Sequence, residues 1–435
     1  MPLPERRDFL QTAAIGAAAL AVGPPTSADD SRKVILGVIG PGGMGMNHVR
    51  QLLKRSDVEI AYVCDVDKNR LANAAKTVEE GSKKAPKAVG DLRQVLDDKA
   101  VDAVFIATPD HWHSPAAILT LDAGKHVYVE KPTSHNIREG RLAADAVKRS
   151  GKLLQVGTQS RSGPAVIEAI QRIRSGEIGE VMVAKAWNSQ LRKSIGKSKP
   201  ADPPANLDFD TWCGPAPLVP YRPNMLPGIW RWWRDFGCGD IGNDGVHDID
   251  VALWGLGVTT HPVRAACLAG KYFFDDDQQW PDTQYAVFKY PGDGKPQARR
   301  QLIFEQRIWS PYVQEGYENG VGFYGTKGVL IIGHSVGWKL FGPRNKPIAE
   351  KTGGADLVAH HTNFLDCVRG DAKTLNADVM AGHRAATIVH LANIGSTVNR
   401  VLEFDPKAET ITNDAEANGM VRRKYREHWG TPKGV

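Results

Sequence analysis

The chain has few cysteines, and their spacing does not indicate a covalent or metal-bound framework. Five cysteines are spread over 435 residues, and no two of them form a C-x-x-C pair. Isolated cysteines of this kind are more typical of small buried side chains than of a disulfide scaffold or a zinc knot. We therefore expect a fold held together by its apolar core.

The chain also lacks blocks of like charge, internal repeats and coiled-coil heptads. Its formal net charge is +6, and the basic residues are distributed along the whole sequence. No Lys/Arg run resembles a nucleic-acid-binding arm, so an ordinary solvated surface and no nucleic-acid partner are expected. A hydrophobic fraction of 42% and a charged fraction of 24% are ordinary for a globular protein, and the length predicts two domains.

The N-terminus carries a twin arginine, Arg6-Arg7, followed by the alanine-rich stretch TAAIGAAALAVG. That stretch has the length of a signal-peptide apolar region and is too short to span a bilayer. The pattern resembles a twin-arginine export signal, the alternative being a disordered alanine-rich tail. Residues 1–30 are thus predicted to form a signal peptide and linker. We expect periplasmic export without stable membrane insertion after processing, or an N-terminal anchor if the signal is not cleaved.

A glycine-rich turn lies between a predicted strand and a predicted helix in the segment VILGVIGPGGMGMNHVRQLL. Its G-x-G-x-x-G pattern permits a tight turn, close approach to a pyrophosphate and close packing of the helix on the strand. The free N–H groups at the start of that helix favour phosphate binding. The cofactor-binding residues predicted here are Gly40, Gly42, Gly43, Met44 and Gly45.

An acidic residue, Asp65, ends the next predicted strand, VEIAYVCD. A carboxylate in this position accepts hydrogen bonds from the adenosine ribose diol and repels a ribose phosphate, so NAD is favoured over NADP. The nearby Lys68 and Arg70 leave NADP open. Because an exported protein cannot collect NAD outside the cell, we expect the cofactor to be tightly bound.

The hydrophobic pattern predicts an α/β protein with two different sheets. Strand-like segments alternate with helical ones in residues 31–158, which favours a doubly wound parallel sheet. In residues 159–405 the strand-like segments, among them VMVAKAWNS, TQYAVFKY and GVLIIG, favour a mostly antiparallel sheet. The Pro-rich stretch 199–223 is predicted to be a functional loop, and residues 406–435 a peripheral tail.

Two residues outside the glycine turn are candidates for catalysis. Lys131 follows the strand HVYVE, at the end where parallel sheets place their ligand crevice, and an ammonium group there can stabilise a developing alkoxide. His247 begins a helix beside a glycine-rich loop and could act as a general base. Taken singly, the lysine is more typical of a solvated surface, and the histidine is more typical of a cap or packing residue.

These pieces together resemble the family of glucose–fructose oxidoreductase and inositol dehydrogenase (Gfo/Idh/MocA). The matching segments include GPGGMG, ATPDHWHSPAAILTLDAGKHVYVEKP, FDTWCGPAP and GNDGVHDIDVALWGLG, within about Val34 to Val401. The resemblance implies an N-terminal Rossmann domain joined to a C-terminal α/β domain with a large open, mostly antiparallel sheet. It also implies a homodimer or homotetramer, since relatives usually bury that sheet against another subunit.

The resemblance assigns expected roles to particular side chains. Lys131 corresponds to the catalytic or substrate-orienting amine and His247 to the acid/base. Many members carry an aspartate four residues before that histidine, whereas this chain has Asn243 there, followed by Asp244. Asn243 is thus the third catalytic candidate, but an amide can hold a hydroxyl and cannot take a proton, so Lys131 and His247 would carry more of the chemistry.

Further contacts are expected from the same resemblance. The remaining cofactor-binding candidates are Thr108, Pro109, His111, His113, Glu130, Lys131 and Gln159. The substrate-binding candidates are Arg161, Trp230, Arg231, Asn243, Asp244 and His247. Indole faces suit sugar rings, although core or subunit packing explains many tryptophans equally well. His111 and His113 alone would make a poor zinc site, so no metal is expected.

The leading functional hypothesis is hydride transfer between NAD(P) and a secondary alcohol carbon of a sugar, polyol or glycoside. An NAD-dependent glycosidase that oxidises its substrate transiently and eliminates the aglycone is an alternative that the sequence hardly separates from it. A non-catalytic sugar- or NAD-binding protein is a third, disfavoured by the presence of both Lys131 and His247.

Overall fold

A computed structural model describes residues 32–292 and 299–435 of the chain. The predicted export signal within residues 1–30 lies outside this part. Within it, no helix combines the length and the apolar character needed to cross a membrane.

The described residues contain sixteen strands and eleven α-helices. The strands are β1 Val34–Ile39, β2 Val58–Cys64, β3 Lys87–Val89, β4 Ala103–Ile106, β5 His126–Val129, β6 Leu154–Val156, β7 Val181–Ser189, β8 Arg264–Gly270, β9 Thr283–Tyr290, β10 Arg300–Arg307, β11 Asn319–Gly325, β12 Val329–Gly333, β13 Gly337–Gly342, β14 Lys346–Thr352, β15 Leu402–Asp405 and β16 Thr410–Ile411. The helices are α1 Gly43–Leu52, α2 Lys68–Ser82, α3 Arg93–Asp97, α4 Asp110–Asp122, α5 Ile137–Ser150, α6 Pro164–Arg174, α7 Phe209–Cys213, α8 Val246–Leu256, α9 Leu357–Arg369, α10 Val379–Val398 and α11 Ala415–Gly419.

The first sheet is parallel and has the strand order β3-β2-β1-β4-β5-β6, which confirms the predicted doubly wound architecture. Its central strands are buried on both faces; all four residues of β4 are fully buried. The order reverses between β1 and β4, and ligands bind outside the carboxyl ends of the strands at such a point. The segments that follow β1, β2, β4 and β5 therefore converge on one crevice.

The second sheet has ten strands in the order β14-β13-β12-β11-β7-β10-β9-β8-β15-β16. Strands β7 and β10 are parallel and the other pairs antiparallel, so the expected large, mostly antiparallel sheet is confirmed. Helices α8 and α10 pack on one face. On β9, Ala286 and Phe288 point into this core, while Tyr285 and Val287 are exposed on the opposite face.

The predicted long loop lies against the parallel sheet and contains α7. Its backbone is fixed there, since Lys68 N–H donates to the carbonyl of Asn206 at 2.9 Å and Asp208 N–H donates to Val66 at 3.0 Å. The C-terminal tail differs from the peripheral position that the sequence predicted. Arg423 reaches between the domains and donates to the buried Glu139 at 2.8 Å, because that carboxylate needs a cationic partner inside the protein.

Candidate active site

A cavity of about 760 Å³ runs along the carboxyl ends of the parallel strands and is closed on its other side by the long loop and the start of α8. Its volume suits a bound small molecule or cofactor. Most of the residues that the sequence nominated meet here. The nominated residues in its wall are Gly40, Gly42, Gly43, Met44, Asp65, Thr108, Pro109, His113, Glu130, Lys131, Gln159, Trp230, Arg231, Asn243 and His247.

The glycine turn has the geometry that a pyrophosphate requires. Gly40 has a φ of +76°, and a Cβ there would lie 2.8 Å from the backbone nitrogen of Thr108. A Cβ on Gly45 would lie 2.2 Å from the carbonyl oxygen of Gly40. Gly45 therefore packs against the turn and does not line the cavity. Space is open beside Gly43, where α1 begins with no side-chain cap. The free N–H groups of α1 thus face an open cradle that fits a dinucleotide.

Asp65 follows β2 in the same wall. Its Oδ1 accepts the N–H of Asp67 at 2.9 Å, and burial raises the pKa of its carboxyl group to about 6. Arg70 extends from α2 over the turn, where its Nη1 would lie 2.5 Å from a Cβ on Gly42. A ribose diol would meet a carboxylate acceptor here with a cation close by.

Lys131 connects the two halves of the site. Its Nζ donates to the carbonyl oxygen of Asn243 at 2.6 Å, across 112 positions of the sequence. The Asn243 side chain is fixed on both sides, because its Oδ1 accepts from Arg231 Nε at 2.7 Å and its Nδ2 donates to Asp240 at 3.1 Å. Asn243 lies in a π-helical turn, Ile241–Gly245, that leads directly into α8, and such turns often occur at functional sites.

His247, in the first turn of α8, reaches the cavity from the second domain. Burial, together with the positive charges of Lys131 and His334, lowers the pKa of its imidazole to about 3. The His334 ring lies 5.5 Å away, and its Nδ1 contacts the Asp248 carboxylate at 3.2 Å. That carboxylate raises the pKa of His334 to about 9, so a neutral His247 sits beside an imidazolium near neutral pH.

A buried hydrogen-bond network holds Glu130 in the floor of the cavity. Its Oε1 contacts His48 Nε2 at 3.0 Å and accepts from Gln159 Nε2 at 3.2 Å. His48 in turn contacts His361 at 2.9 Å. Although burial raises the pKa of Glu130, the bond to His48 and the charge of Lys131 bring it to about 2. The floor therefore carries a fixed negative charge next to Lys131.

Three nominated residues besides Gly45 do not line the cavity. His111 turns away from it and contacts the carbonyls of Trp212 and Phe236 at 2.8 and 3.3 Å. Arg161 forms a two-bond ion pair with the buried Asp250 at 2.7 and 2.9 Å. Asp244 accepts from Gln190 and Arg192 at 2.8 and 2.5 Å, just behind the wall. His111, Arg161 and Asp244 therefore do not reach the cavity in which their expected contacts with cofactor or substrate would form.

Some residues of the cavity wall were not predicted from the sequence. Asp110, the first residue of α4, is buried, accepts from the N–H of Cys238 at 3.1 Å and has a pKa raised by burial. Because aspartate is common at the start of a helix, its position in the sequence did not indicate a residue of the site. Further wall residues come from irregular segments without a motif, namely Leu207, Tyr221, Pro227 and Trp429, while Trp212 comes from α7.

Among the described residues, one group has a geometry that could hold a metal ion. It consists of His261, His383 and Glu409, whose ligand atoms lie within 4.8 Å of one another. None of the three lines the cavity. Glu409 Oε1 contacts His261 and His383 at 3.0 and 2.9 Å and is also ion-paired with Arg141. The guanidinium already compensates this carboxylate, so we interpret the group as a buried ion-pair network.

The fold and the cavity define a two-domain protein with a Rossmann-type dinucleotide site. Residues 34–158 match the family model described as "Oxidoreductase family, NAD-binding Rossmann fold", and residues 183–290 and 349–431 match its C-terminal alpha/beta domain. The chain therefore belongs to the Gfo/Idh/MocA family, and its N-terminal domain is that family's NAD-binding domain.

Curated relatives match the chain in part. It is 31% identical over 247 residues to inositol 2-dehydrogenase 2 of Saccharopolyspora erythraea, covering 55% of this chain and 60% of that protein. It is 34% identical over 151 residues to scyllo-inositol 2-dehydrogenase (NAD(+)) of Bacillus subtilis, covering 34% and 43%. It is 29% identical to a glycosyl hydrolase family 109 protein of Stenotrophomonas maltophilia, covering 48% of each. The chain thus spans about half the length of these relatives.

Solved structures share the fold. The WlbA dehydrogenase of Bordetella pertussis, in complex with NADH and UDP-GlcNAcA, aligns with a TM-score of 0.63 and 18% identity, covering 86% of this chain and 99% of that one. Levoglucosan dehydrogenase in complex with NADH aligns with a TM-score of 0.64 and 17% identity, covering 85% and 98%.

Proposed function

We propose that the protein is an NAD-dependent oxidoreductase that transfers a hydride between nicotinamide and a secondary alcohol carbon of a sugar, polyol or glycoside. The observation that carries this proposal is one cavity that holds the glycine turn, Asp65, Lys131 and His247 together. The inositol dehydrogenases among the relatives support the substrate class.

The chain's own residues can perform the proton chemistry. Lys131 has ammonium hydrogens left after its bond to Asn243, and these can donate to a substrate oxygen and stabilise its developing charge. His247, neutral at physiological pH, can accept the hydroxyl proton at a ring nitrogen. The second amide hydrogen of Asn243 can hold a neighbouring hydroxyl. Bound nicotinamide would take up or return the hydride.

The aromatic side of the cavity suits a carbohydrate. The Arg231 guanidinium lies 4.3 Å from the centre of the Trp230 ring, so an apolar face and a hydrogen-bond donor are adjacent. Sugar rings likewise carry apolar C–H faces next to hydroxyl groups. Trp232 and Trp233, in contrast, do not line the cavity.

The test is to supply the purified protein with NAD and a panel of sugars, polyols and glycosides and to follow NADH by absorbance and products by mass spectrometry. We expect oxidation at a secondary carbon. If the protein binds sugar and NAD but converts no substrate of the panel, a non-catalytic binding protein is favoured instead.

A second candidate is an NAD-dependent glycosidase that oxidises transiently and eliminates the aglycone, without net redox change. The glycosyl hydrolase family 109 relatives support it. A chromogenic glycoside separates the two candidates. Aglycone release without NADH accumulation indicates the glycosidase, and NADH formation in step with a keto product indicates the dehydrogenase.

We also propose that the protein is exported by the twin-arginine route with NAD already bound. This rests on Arg6-Arg7 and the alanine-rich stretch after them. Replacement of Arg6 and Arg7 by lysine should retain the protein in the cytoplasm. Co-purification of NAD with the exported wild type would support tight binding, and an exported protein free of nucleotide would contradict it.

We propose finally that the open face of the second sheet joins subunits into a homodimer or homotetramer. Leu268, Tyr285 and Val287 are exposed there on adjacent strands, and exposed apolar patches often mark interfaces. Light scattering should show an oligomer that Tyr285→Glu weakens. A wild-type monomer at micromolar concentration would contradict the proposal.

A further inference from the structure

The cavity continues past Asp65, away from the glycine turn. At this end its wall consists of Val66, Gly90, Leu92, Thr211 and Trp429. In a dinucleotide whose pyrophosphate lies on the glycine turn and whose ribose contacts Asp65, the adenine is the next group in this direction. The walls of this end are therefore expected to meet the adenine ring.

Trp429 is a large aromatic side chain in that wall and comes from the C-terminal tail; Trp112, which also lines the cavity, lies beside it. Its indole also lines a neighbouring cavity of about 420 Å³, which shares Asp65 with the main one. The Arg93 guanidinium lies 4.4 Å from the ring centre, and the Trp112 ring lies 5.5 Å away. The indole is only half-buried, so part of it faces the cavity while these neighbours fix its orientation.

The tail segment just before Trp429 forms hydrogen bonds to both domains. Arg426 donates to the carbonyl of Gly214 and to Asp210 Oδ1, both at 2.6 Å, next to the wall residue Thr211. Arg423 donates to Glu139 at 2.8 Å and to the carbonyl of His111 at 2.9 Å. These charge-assisted bonds hold the tail across the end of the cavity.

We propose that Trp429 is an adenine-binding residue and that the C-terminal tail is part of the cofactor site. The indole packs against the adenine ring, and the pinned tail slows release of the bound nucleotide. This inference rests on the proposed NAD-dependent function and adds to it the segment that retains the cofactor. Base–aromatic stacking contributes enough to binding to be measured by a single substitution.

The test compares Trp429→Leu with wild type in the full-length protein, freed of co-purified nucleotide. Leucine keeps apolar bulk against Trp112 and removes the aromatic face. We expect the Kd values for NAD and for ADP-ribose to rise about tenfold, and NAD to dissociate faster by a similar factor. The Kd for nicotinamide mononucleotide, which lacks the adenosine half, should not change. Trp429→Phe should recover most of the lost affinity.

Trp309→Leu is the matched control, because this half-buried indole stacks on Phe273 and lines neither cavity. It should leave all three Kd values unchanged. Equal losses for nicotinamide mononucleotide and ADP-ribose in Trp429→Leu, or no loss for either, would overturn the inference while the proposed function stands. A wild-type protein that binds none of the three nucleotides would overturn both.

Discussion

The Nζ atom of Lys131 donates to the backbone oxygen of Asn243 at 2.6 Å, so the end of β5 is joined directly to the π-helical turn before α8. The bond places the ammonium group between the two domains and leaves the Asn243 side chain free to contact Arg231 and Asp240. A change in either residue is therefore expected to alter the position of the other.

Lys131→Ala should reduce kcat about a hundredfold or more, because it removes the ammonium group, held at the Asn243 carbonyl oxygen, that can stabilise a developing alkoxide. The Kd for NAD should change little, since the glycine turn and Asp65 are separate from the lysine. Steady-state rates and calorimetric titration with NAD measure both quantities. Lys76→Ala, on the exposed surface of α2, is the control. Unchanged turnover in Lys131→Ala would contradict the mechanism.

The pH profile should report on His247. Since its pKa is lowered to about 3, His247 remains neutral between pH 5 and 8 and should cause no loss of kcat/KM in that range. His334→Gln removes one of the positive charges that lower this pKa, so the acid limb should move to higher pH. His247→Asn should lower kcat about a hundredfold at every pH. If the profile of His334→Gln superimposes on that of wild type, His334 does not act on His247.

The cofactor preference should depend on pH through Asp65. Burial raises the pKa of this carboxyl group to about 6, so it is ionised, and repels a ribose phosphate, only above that pH. The ratio of the Kd for NADP to the Kd for NAD should therefore fall as the pH decreases from 8 to 5. Asp65→Asn should make the ratio smaller and should remove the part of its pH dependence that comes from the carboxylate. A wild-type ratio that stays constant over this range would contradict the assignment of Asp65.

The part of the site that follows strand ends could be predicted from the sequence, because parallel strands bring Gly40, Asp65 and Lys131 to the same edge. The same reasoning does not predict whether His111 or His113 faces the cavity. His111 lies two positions from His113 on α4, and residues at that spacing point to nearly opposite sides of a helix. Only the packed structure shows that His113 is the one that faces the cavity.

Long-range partners account for the other differences. Arg161 forms an ion pair with Asp250, which lies 89 positions away in the sequence, and no local sequence pattern predicts this pair. The tail, residues 406–435, was predicted to be peripheral. Its contacts include charge-assisted bonds of arginines to acids and carbonyls, and composition does not show where these partners lie.

The network around Glu409 should make stability depend on acid pH. Burial raises the pKa of this carboxyl group, but hydrogen bonds from His261, His383 and Arg141 lower it well below its ordinary value. The stabilisation is therefore complete above the unfolded pKa of about 4.3 and is lost as the pH falls below it. Glu409→Gln should lower the Tm by a few degrees at pH 7, and the difference from wild type should shrink below pH 4.

Thermal unfolding of the two proteins from pH 7 to pH 3 measures this dependence. EDTA should leave the wild-type Tm unchanged, because the Arg141 guanidinium supplies the positive charge that a metal would otherwise provide. A Tm that falls on chelation and returns with zinc would show instead that His261, His383 and Glu409 hold an ion. A Tm difference that stays constant between pH 7 and pH 3 would exclude Glu409 as the group that titrates.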